Sequence, residues 1–382
     1  MARVAVLGGG MVGSVMAQDI AHLDGASVCV YDVSEVSLQR VRERCGDRVE
    51  TRQADLSDQS TIRESIEDAD IVLGALASHL GFNALGTIID AGKPYADISF
   101  MPEDAIDLDQ KAKDAGVCCV VDCGVAPGMS NMMAGYASAT MDRCDSIEIY
   151  VGGLPVERHW PFEYKAGFAP ADVIEEYTRP SRIVENSDTV IREALSEPEL
   201  MTFPHVGTLE AFNTDGLRSI ATTLDVPNMI ERTLRYPGHI EIMRVLRHIG
   251  LMGTEPIDVK GVKVVPRDVL ATLMFPQWTY EPGEEDITVM RVIAEGVVDG
   301  VLSRMTWDLY DRYDQDTQAT SMSRTTAFPC TIAARMILDG TYTSPGVNPP
   351  ERLGATQGLL DRSLVELQER GVHYEATIEA IG

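Results

Sequence analysis

The chain has 382 residues, of which 45% are hydrophobic and 24% charged, a composition that is ordinary for a globular protein. At this length we expect more than one domain, because a single hydrophobic core rarely organises so many residues. The net charge of −27 argues against nucleic acid and membranes as partners, and no apolar run is long enough to cross a bilayer.

Short apolar strands alternate with helical segments through residues 1–124. The predicted strands are Arg3–Gly8, Ser27–Asp32, Val49–Asp55, Asp70–Leu76, Pro94–Ser99 and Val117–Asp122, and the predicted helices are 14–23, 34–45, 60–69, 80–91 and 103–115. Apolar strands separated by helices favour a parallel sheet that is covered on both faces. We therefore predict an α/β fold in which 1–124 is a Rossmann-type, doubly wound dinucleotide-binding domain.

Beyond residue 125, hydrophobic residues alternate with a period of two, which is typical of strands. The pattern occurs in 146–155, 218–223, 257–266 and 286–311, the last of which contains a turn at Gly296–Gly300. We predict an inserted α+β substrate-binding domain at 125–325, with a mixed, largely antiparallel sheet. From Met322 the pattern is helical again, so we expect 326–382 to return to the first domain as C-terminal helices.

Gly8, Gly10 and Gly13 lie between the first strand and the first helix with the spacing G-x-G-x-x-G. This spacing permits a tight turn, a close approach of a pyrophosphate to the backbone, and close packing of helix on strand. Asp32 ends the second strand, where it is placed to bind the ribose hydroxyls and would repel a 2′-phosphate. We therefore predict NAD rather than NADP as the cofactor. The alternative is a glycine-rich turn that binds no nucleotide.

Seven further residues are assigned to the cofactor site. They are Met11, Val12, Asp55, Ala75, Leu76, His79 and Ser99. Met11 and Val12 begin the helix whose N-terminal N–H groups face the phosphates. Asp55 either contacts the adenine ring or caps the next helix. The loop after the fourth strand is expected beside the nicotinamide ribose, where His79 is either a polar site group or an ordinary surface histidine.

Nine sequence blocks in order across residues 74–328 resemble the saccharopine dehydrogenase-like reductases, and most closely their NAD-dependent L-lysine 6-dehydrogenase branch. They are GALASHLGF, DISFMPED, DCGVAPGMSN, YVGGLP, IEEYTRPSR, DGLRS, LRYPGHIE, VLRHIG and SMSRTTAF. The resemblance implies a Rossmann domain, an inserted substrate domain and a homodimer. It also implies hydride transfer from C6 of lysine to NAD, with release of ammonia and α-aminoadipate semialdehyde, which cyclises to piperideine-6-carboxylate. Two loops depart from the family pattern, at Ala77–His79 and Ala166–Ala169, and leave the substrate open.

Asp122 ends the sixth strand, at the carboxyl edge of the sheet where the nicotinamide is expected. A carboxylate there can bind the substrate ammonium or accept its proton. The alternative is that Asp122 caps the following helix or pairs with an arginine. The neighbouring Cys123 is interpreted as a packing residue, because cysteines are used freely in this strand.

Arg218 is our candidate for binding the substrate α-carboxylate, because a guanidinium matches a carboxylate with two parallel hydrogen bonds. Asp215 either orients Arg218 or binds the substrate α-amino group, and the alternative is a structural ion pair between the two. Arg179 is a second candidate cation, and the proline after it predicts an extended backbone.

Three further residues are candidates for the chemistry. Lys165, one of six lysines, either binds a carboxylate or carries a proton. His239 follows a Pro-Gly turn and is either a proton shuttle or a packing residue at a helix N-terminus. Thr325 and Thr326 are expected to open the returning helix, where they either donate to ligand oxygens or act only as caps.

We therefore predict a cytoplasmic enzyme that uses NAD to deaminate the ε-amino group of L-lysine, an amino-acid substrate. The alternatives are a saccharopine dehydrogenase or a carboxynorspermidine-type synthase acting on a secondary amine, and a non-catalytic NAD-binding regulator. No metal site is expected, because the seven cysteines contain no Cys-x-x-Cys pair. The N-terminus has no signal-peptide pattern.

Overall fold

A computed structural model describes residues 2–23 and 25–381 and divides into two compact units. The first unit contains the residues up to Met141, together with Thr222–Leu224 and Ser323–Tyr374. The second unit contains Asp142–Ala221, Asp225–Met322 and the residues from Glu375 onward. Each unit has its own large sheet.

The first unit begins with strands and helices in strict alternation. In chain order these elements are β1 (Ala2–Leu7), α1 (Met11–Ile20), β2 (Ala26–Asp32), α2 (Glu35–Cys45), β3 (Val49–Gln53), α3 (Gln59–Ile66), β4 (Ile71–Gly74), α4 (Ser78–Asp90), β5 (Tyr95–Asp97), α5 (Asp109–Ala115), β6 (Cys118–Val120) and α6 (Met129–Thr140). Local sequence explains several ends: Ser34 accepts from the Ser37 N–H at the start of α2, and Gly116 adopts the left-handed conformation that ends α5.

The described strands of the first unit form a seven-stranded sheet in the order β17-β6-β5-β4-β1-β2-β3, where β17 (Gly346–Asn348) comes from the C-terminal part of the chain. Every pairing in this sheet is parallel. The predicted doubly wound architecture and its six strands are confirmed. The seventh strand was not predicted, because Gly346–Asn348 is too short to show a period.

The second unit contains the following elements. They are β7 (Arg143–Pro155), α7 (Pro170–Thr178), β8 (Ser181–Glu185), β9 (Asp188–Arg192), β10 (Glu199–Phe203), β11 (Gly207–Asn213), α8 (Ile220–Thr223), β12 (Met229–Arg235), α9 (His239–His248), β13 (Ile257–Val259), β14 (Val262–Val264), α10 (Pro266–Trp278), β15 (Asp286–Val298) and β16 (Val301–Arg312). The last residues of α8 fall in the first unit.

A nine-stranded sheet organises the described part of the second unit, with a main order of β10-β11-β12-β7-β15-β16-β18, where β18 is Tyr374–Ala380. β8 pairs with β12 and β9. The pairing of β12 with β7 is parallel and the β7–β15 and β15–β16 pairings are antiparallel, so the predicted mixed, largely antiparallel sheet is confirmed. The long hairpin β15–β16 turns at Asp299 and Gly300, both with positive φ, as a two-residue hairpin turn requires.

Three predictions need correction, two about local structure and one about a domain boundary. The segment 218–223, predicted as a strand, contains the short helix α8. The prediction was wrong because the alternation covers too few residues to distinguish the strand period from the helix period. The returning helix α11 (Ser321–Leu338) begins before Thr325, and the chain enters the first unit within it, after Met322. The remaining helices are α12 (Pro350–Gly354) and α13 (Leu359–Glu369). The first unit also includes α6, which the sequence had assigned to the second domain.

No helix in the described residues 2–23 and 25–381 combines the length and apolar character needed to cross a bilayer.

Backbone contact between α6 and α12 generates a stability prediction for the first unit. A Cβ on Gly135 in α6 would lie 2.2 Å from the Glu351 carbonyl oxygen in α12. We expect Gly135→Ala to lower the free energy of unfolding by about 1–3 kcal/mol through overpacking, although alanine is the better helix former. Gly86→Ala in α4, where the nearest atoms lie 3.9 Å away, is the matched control and should be neutral or stabilising. Urea unfolding followed by circular dichroism measures the free energy of unfolding of both variants. Equal stabilisation by the two substitutions would contradict the close packing of Gly135 against Glu351.

Candidate functional site

The glycine turn between β1 and α1 leaves space for a ligand above the helix N-terminus. Gly8 has a φ of 102°, and a Cβ there would lie 2.3 Å from the Ala75 oxygen. A Cβ on Gly13 would lie 2.0 Å from the Gly8 oxygen. By contrast, within residues 2–23 and 25–381 no atom lies within 4 Å of a Cβ on Gly10, and no side chain there caps α1. Two glycines are thus required for packing and the third borders open space, an arrangement that fits a dinucleotide pyrophosphate.

Asp32 connects the end of β2 to this turn. Its Oδ2 accepts a hydrogen bond from the Gly9 N–H at 2.7 Å, and its Oδ1 accepts one from the Ser34 N–H at 2.7 Å. Each carboxylate oxygen has a further lone pair with which it can accept from a ribose hydroxyl. The structure therefore places Asp32 beside the glycine turn, as predicted. Its hydrogen bond with Gly9 was not predicted.

The outer residues of the predicted cofactor site are exposed. Asp55 accepts hydrogen bonds from the backbone and hydroxyl of Ser57, at 3.0 and 2.6 Å, and these bonds lower the pKa of its carboxyl. The N-cap of α3 is Asp58, so the alternative that Asp55 caps this helix is wrong. His79 lies in the first turn of α4 with an exposed side chain.

Ser99 links the ends of β4 and β5 through a buried aspartate that sequence analysis missed. Ser99 donates its backbone N–H and its hydroxyl to Asp97 Oδ1, at 2.9 and 2.8 Å, and accepts from the Leu76 N–H at 3.3 Å. Burial raises the pKa of Asp97 to about 7, with the charge of Asp122 adding to the rise and the Ser99 bonds opposing it. The only signal in the sequence was the carboxylate at the end of an apolar strand.

Asp122 lies two residues beyond β6 and is 7% exposed, with a φ of 51°. Non-glycine residues rarely adopt this left-handed conformation, and when they do they often lie at functional sites. The next residue, Cys123, donates its N–H to the Asp97 carbonyl at 2.8 Å, which fixes the segment beside β5. Helix α6 has Gly128 at its N-cap, six residues after Asp122. Cys123 itself is buried, as its packing interpretation requires.

Asp215 and Arg218 occupy the loop between β11 and α8 in the second unit. Arg182 donates to Asp215 from its backbone and from Nε and Nη2, at 3.2, 2.8 and 2.9 Å. Arg182 thus makes a two-point contact with Asp215 that was not predicted, and the pairing of Asp215 with Arg218 stays a prediction. Arg218 is buried and has a φ of 53°.

The other two predicted cations of the second unit differ in setting. Arg179 follows α7 with φ −70° and ψ 129°, so the extended backbone predicted before Pro180 is confirmed. Lys165 is 13% exposed and forms an ion pair with Glu284. Burial alone would raise the pKa of Glu284, but the hydrogen bonds from Lys165 and the Glu281 N–H, together with the charge of Lys165, lower it. Lys165 also borders a cleft of about 400 Å³ next to Tyr280.

His239 is held in a buried aromatic cluster at the start of α9. Its Nδ1 lies 2.8 Å from the Phe162 carbonyl oxygen, and its Nε2 lies 2.9 Å from the Tyr177 hydroxyl. The carbonyl can only accept, so Nδ1 carries the proton and Nε2 accepts from Tyr177. Burial, together with the charge of Arg235, lowers the pKa of His239 to about 3. This geometry fits the packing alternative, because a proton shuttle needs a pKa nearer neutrality.

Thr326 lies inside α11 rather than at its first residues. Helix α11 begins at Ser321, so the expectation that Thr325 and Thr326 open it is wrong. The cap comes from Asp286, whose two carboxylate oxygens accept from the N–H groups of Ser321 and Met322 at 2.6 and 2.9 Å. In the first unit, the Cγ2 of Thr326 would lie 3.1 Å from a Cβ on Gly124, so Thr326 packs against the segment that follows Asp122.

Comparison with known proteins agrees with this architecture. The model described as "Saccharopine dehydrogenase NADP binding domain" matches residues 4–120, and that described as "Saccharopine dehydrogenase C-terminal domain" matches residues 124–372. The carboxyaminopropylagmatine dehydrogenase of Synechocystis sp. is 22% identical over 400 residues, which cover 99% of this chain and 98% of that protein.

Two saccharopine dehydrogenases that form L-glutamate are also similar. The NADP(+)-dependent enzyme of Schizosaccharomyces pombe is 21% identical over 404 residues, which cover 85% of this chain and 87% of that protein. The solved apo structure of the enzyme from Saccharomyces cerevisiae has the same fold, with a TM-score of 0.81, 18% identity and 100% of both chains covered. The chain therefore belongs to the saccharopine dehydrogenase family, and is an NAD(P)-dependent dehydrogenase that acts on an amino-group substrate.

Proposed function

We propose that this enzyme oxidises the ε-carbon of L-lysine with NAD and releases ammonia and α-aminoadipate semialdehyde. The observation that carries the proposal is Asp122, a buried carboxyl group in a left-handed backbone at the carboxyl edge of the sheet. A carboxylate in this place is suited to an ammonium substrate, because it attracts the positive charge and can accept its proton.

The choice of NAD is supported by Asp32. Its carboxylate lies beside the glycine turn and accepts from Gly9 and Ser34, so it is fixed where the adenosine ribose of a dinucleotide is expected. A negative charge there opposes a 2′-phosphate and favours two free ribose hydroxyls.

In the proposed oxidation of lysine, each residue of the site has one role. Bound NAD supplies the acceptor for the hydride that leaves C6. Asp122 accepts a proton from the ε-ammonium, which leaves the neutral amine whose lone pair assists cleavage of the C–H bond. The resulting iminium takes up water, and the C–N bond breaks to give the aldehyde and ammonium. Arg218 binds the α-carboxylate through its planar guanidinium. We leave His239 out of the proton transfers, because both of its ring nitrogens are engaged.

Charge pairing in the second unit supports a substrate with one carboxylate. Lys165 pairs with Glu284, Arg182 with Asp215, and Arg235 with Glu176. Saccharopine carries three carboxylates and lysine carries one, so lysine needs fewer cations in the site. The relatives named saccharopine dehydrogenase make saccharopine the second candidate. The homodimer, the cytoplasmic location and the absence of nucleic-acid and membrane partners stay predictions.

The first experiment measures NADH formation with L-lysine and, separately, with saccharopine, each at low and high salt. Released ammonia and 2-oxoglutarate are assayed in parallel. NADH and ammonia from lysine alone would support the proposal. NADH and 2-oxoglutarate from saccharopine would replace lysine with the second candidate. NAD binding without turnover of either compound would favour a regulator.

Removal of the Asp32 carboxylate tests the cofactor preference. We expect Asp32→Ala to lower the ratio of kcat/KM for NAD over NADP by about tenfold or more, because the repulsion of a 2′-phosphate is lost. Asp68→Ala, which removes an exposed carboxylate just before β4, is the control and should leave the ratio unchanged. An unchanged ratio with a weaker KM for both cofactors would mean that Asp32 only supports the glycine turn.

Asp122→Asn tests the proton transfer while preserving side-chain shape. We expect kcat to fall by about 100-fold or more, because the amide cannot accept the substrate proton. NADH affinity, measured by fluorescence titration, should stay within about twofold of the wild-type value, since Asp122 is assigned to the substrate. Asp107→Asn, at an exposed position in the same unit, is the control. Normal turnover by Asp122→Asn would remove this residue from the mechanism.

Arg218→Ala tests the α-carboxylate contact through two substrates. We expect KM for L-lysine to rise by about 10- to 100-fold, the effect of losing a charge-assisted bidentate contact. Cadaverine lacks the carboxylate, so its kcat/KM should change by less than about threefold. Arg143→Ala, an exposed arginine on β7, is the control. Equal losses with lysine and cadaverine would make Arg218 a structural residue.

A further inference from the structure

The loop Thr214–Arg218 leads from β11 to the residue that we assign to the substrate carboxylate. It ends at Arg218, which is buried in a left-handed conformation that non-glycine residues seldom adopt. Such a conformation persists only where surrounding contacts hold it, so the groups that hold this loop also determine where the guanidinium lies.

Glu231 on β12 lies directly beneath this loop. It is 3% exposed, and its Oε2 accepts from the Thr214 hydroxyl at 2.7 Å and from the Gly216 N–H at 3.0 Å. A Cβ on Gly216 would lie 2.2 Å from Glu231 Cδ, so the backbone and the carboxyl group are in direct contact. The Thr214 hydroxyl lies 2.8 Å from that of Thr233, which extends the network along β12.

A second strand holds the other side of the loop. On β8, Ser181 donates its hydroxyl to the Thr214 carbonyl at 2.6 Å, and Arg182 forms its two-point contact with Asp215. Gly216, two residues before Arg218, donates its N–H to Glu231.

We propose that Glu231 is the positioning residue that holds the Thr214–Arg218 loop in the conformation in which Arg218 binds the substrate α-carboxylate. The proposal depends on the role assigned to Arg218 above. It deepens that role by naming a buried residue on a different strand that does not itself meet the substrate.

The charge state of Glu231 gives the loop a pH dependence. Burial raises the pKa of Glu231 to about 8, with the nearby carboxyls of Glu176 and Asp215 adding to the rise and the bonds from Thr214 and Gly216 opposing it. Arg235 and Arg182 pair with Glu176 and Asp215, respectively. Because the pKa of Glu231 is higher in the folded state, protonation of this group stabilises the folded protein. This stabilisation is complete below the ordinary pKa of 4.5 and is lost as the pH rises through about 8. Above that pH, the charge on an ionised Glu231 destabilises the folded loop, chiefly because the buried carboxylate has lost its hydration.

Two substitutions at Glu231 separate shape from hydrogen bonding. Glu231→Leu keeps the approximate volume but removes the acceptor for Thr214 and Gly216, and should raise KM for L-lysine about tenfold with a smaller effect on cadaverine. Glu231→Gln can still accept both bonds and cannot ionise, so it should keep the wild-type KM at pH 7 and lose the rise in KM above about pH 8. Glu210→Leu on β11 is the matched control, because its carboxylate accepts from Gly238 outside the loop.

Amide hydrogen exchange over residues 214–218 tests the loop independently of turnover. Faster exchange at Gly216 in Glu231→Leu, with wild-type exchange in Glu231→Gln and Glu210→Leu, is the expected result. Unchanged exchange in Glu231→Leu would overturn the positioning role whatever the substrate is. Suppose instead that exchange is faster in Glu231→Leu but that the kinetic losses with lysine and with cadaverine are equal. The loop would then not act through the substrate α-carboxylate, which counts against the proposed role of Arg218 rather than against the contact with Glu231.

Discussion

The pairing of β1 with β4 places Leu7 opposite Gly74, and the cofactor side of the first unit depends on this contact. The Ala75 N–H donates to the Leu7 carbonyl at 2.8 Å, so the chain that leaves β4 passes directly beside the glycine turn. Because the Ala75 oxygen occupies the space of a side chain at position 8, only glycine permits the two segments to meet. The loops after β4 and β5 therefore lie at the same edge of the sheet as Asp32 and Asp122.

Buried carboxyl groups support a site loop in each unit. Asp97 holds Ser99 in the first unit, and Glu231 holds Thr214 and Gly216 in the second. Burial raises the pKa of both groups, to about 7 and about 8, because a charge loses its hydration inside the protein. A carboxyl group with a raised pKa carries less negative charge near neutral pH than an ordinary one, which limits self-repulsion in a chain with a net charge of −27.

Local sequence was sufficient for the parts of the site that depend on neighbouring residues. The spacing of Gly8, Gly10 and Gly13 predicted the turn, and the apolar strand before Asp32 predicted its position beside that turn. Partners far apart in the chain were not predicted. Arg182 and Asp215 are 33 residues apart, Lys165 and Glu284 are 119 apart, and the contacts of Glu231 cross between two strands. No period or motif encodes which acid meets which base, because that choice depends on how the strands are paired.

The sequence alone determined the doubly wound sheet, the glycine turn and the long hairpin β15–β16. Each follows from a repeating pattern or a short motif whose physical cause is local: burial on both faces of parallel strands, the conformational freedom of glycine, and the positive φ that a two-residue turn requires. Only the tertiary structure decided that 218–223 forms part of a loop and a helix, that Gly346–Asn348 joins the first sheet, and that His239 is locked between Phe162 and Tyr177. These outcomes depend on contacts made after the strands have paired, and short segments carry too little pattern to anticipate them.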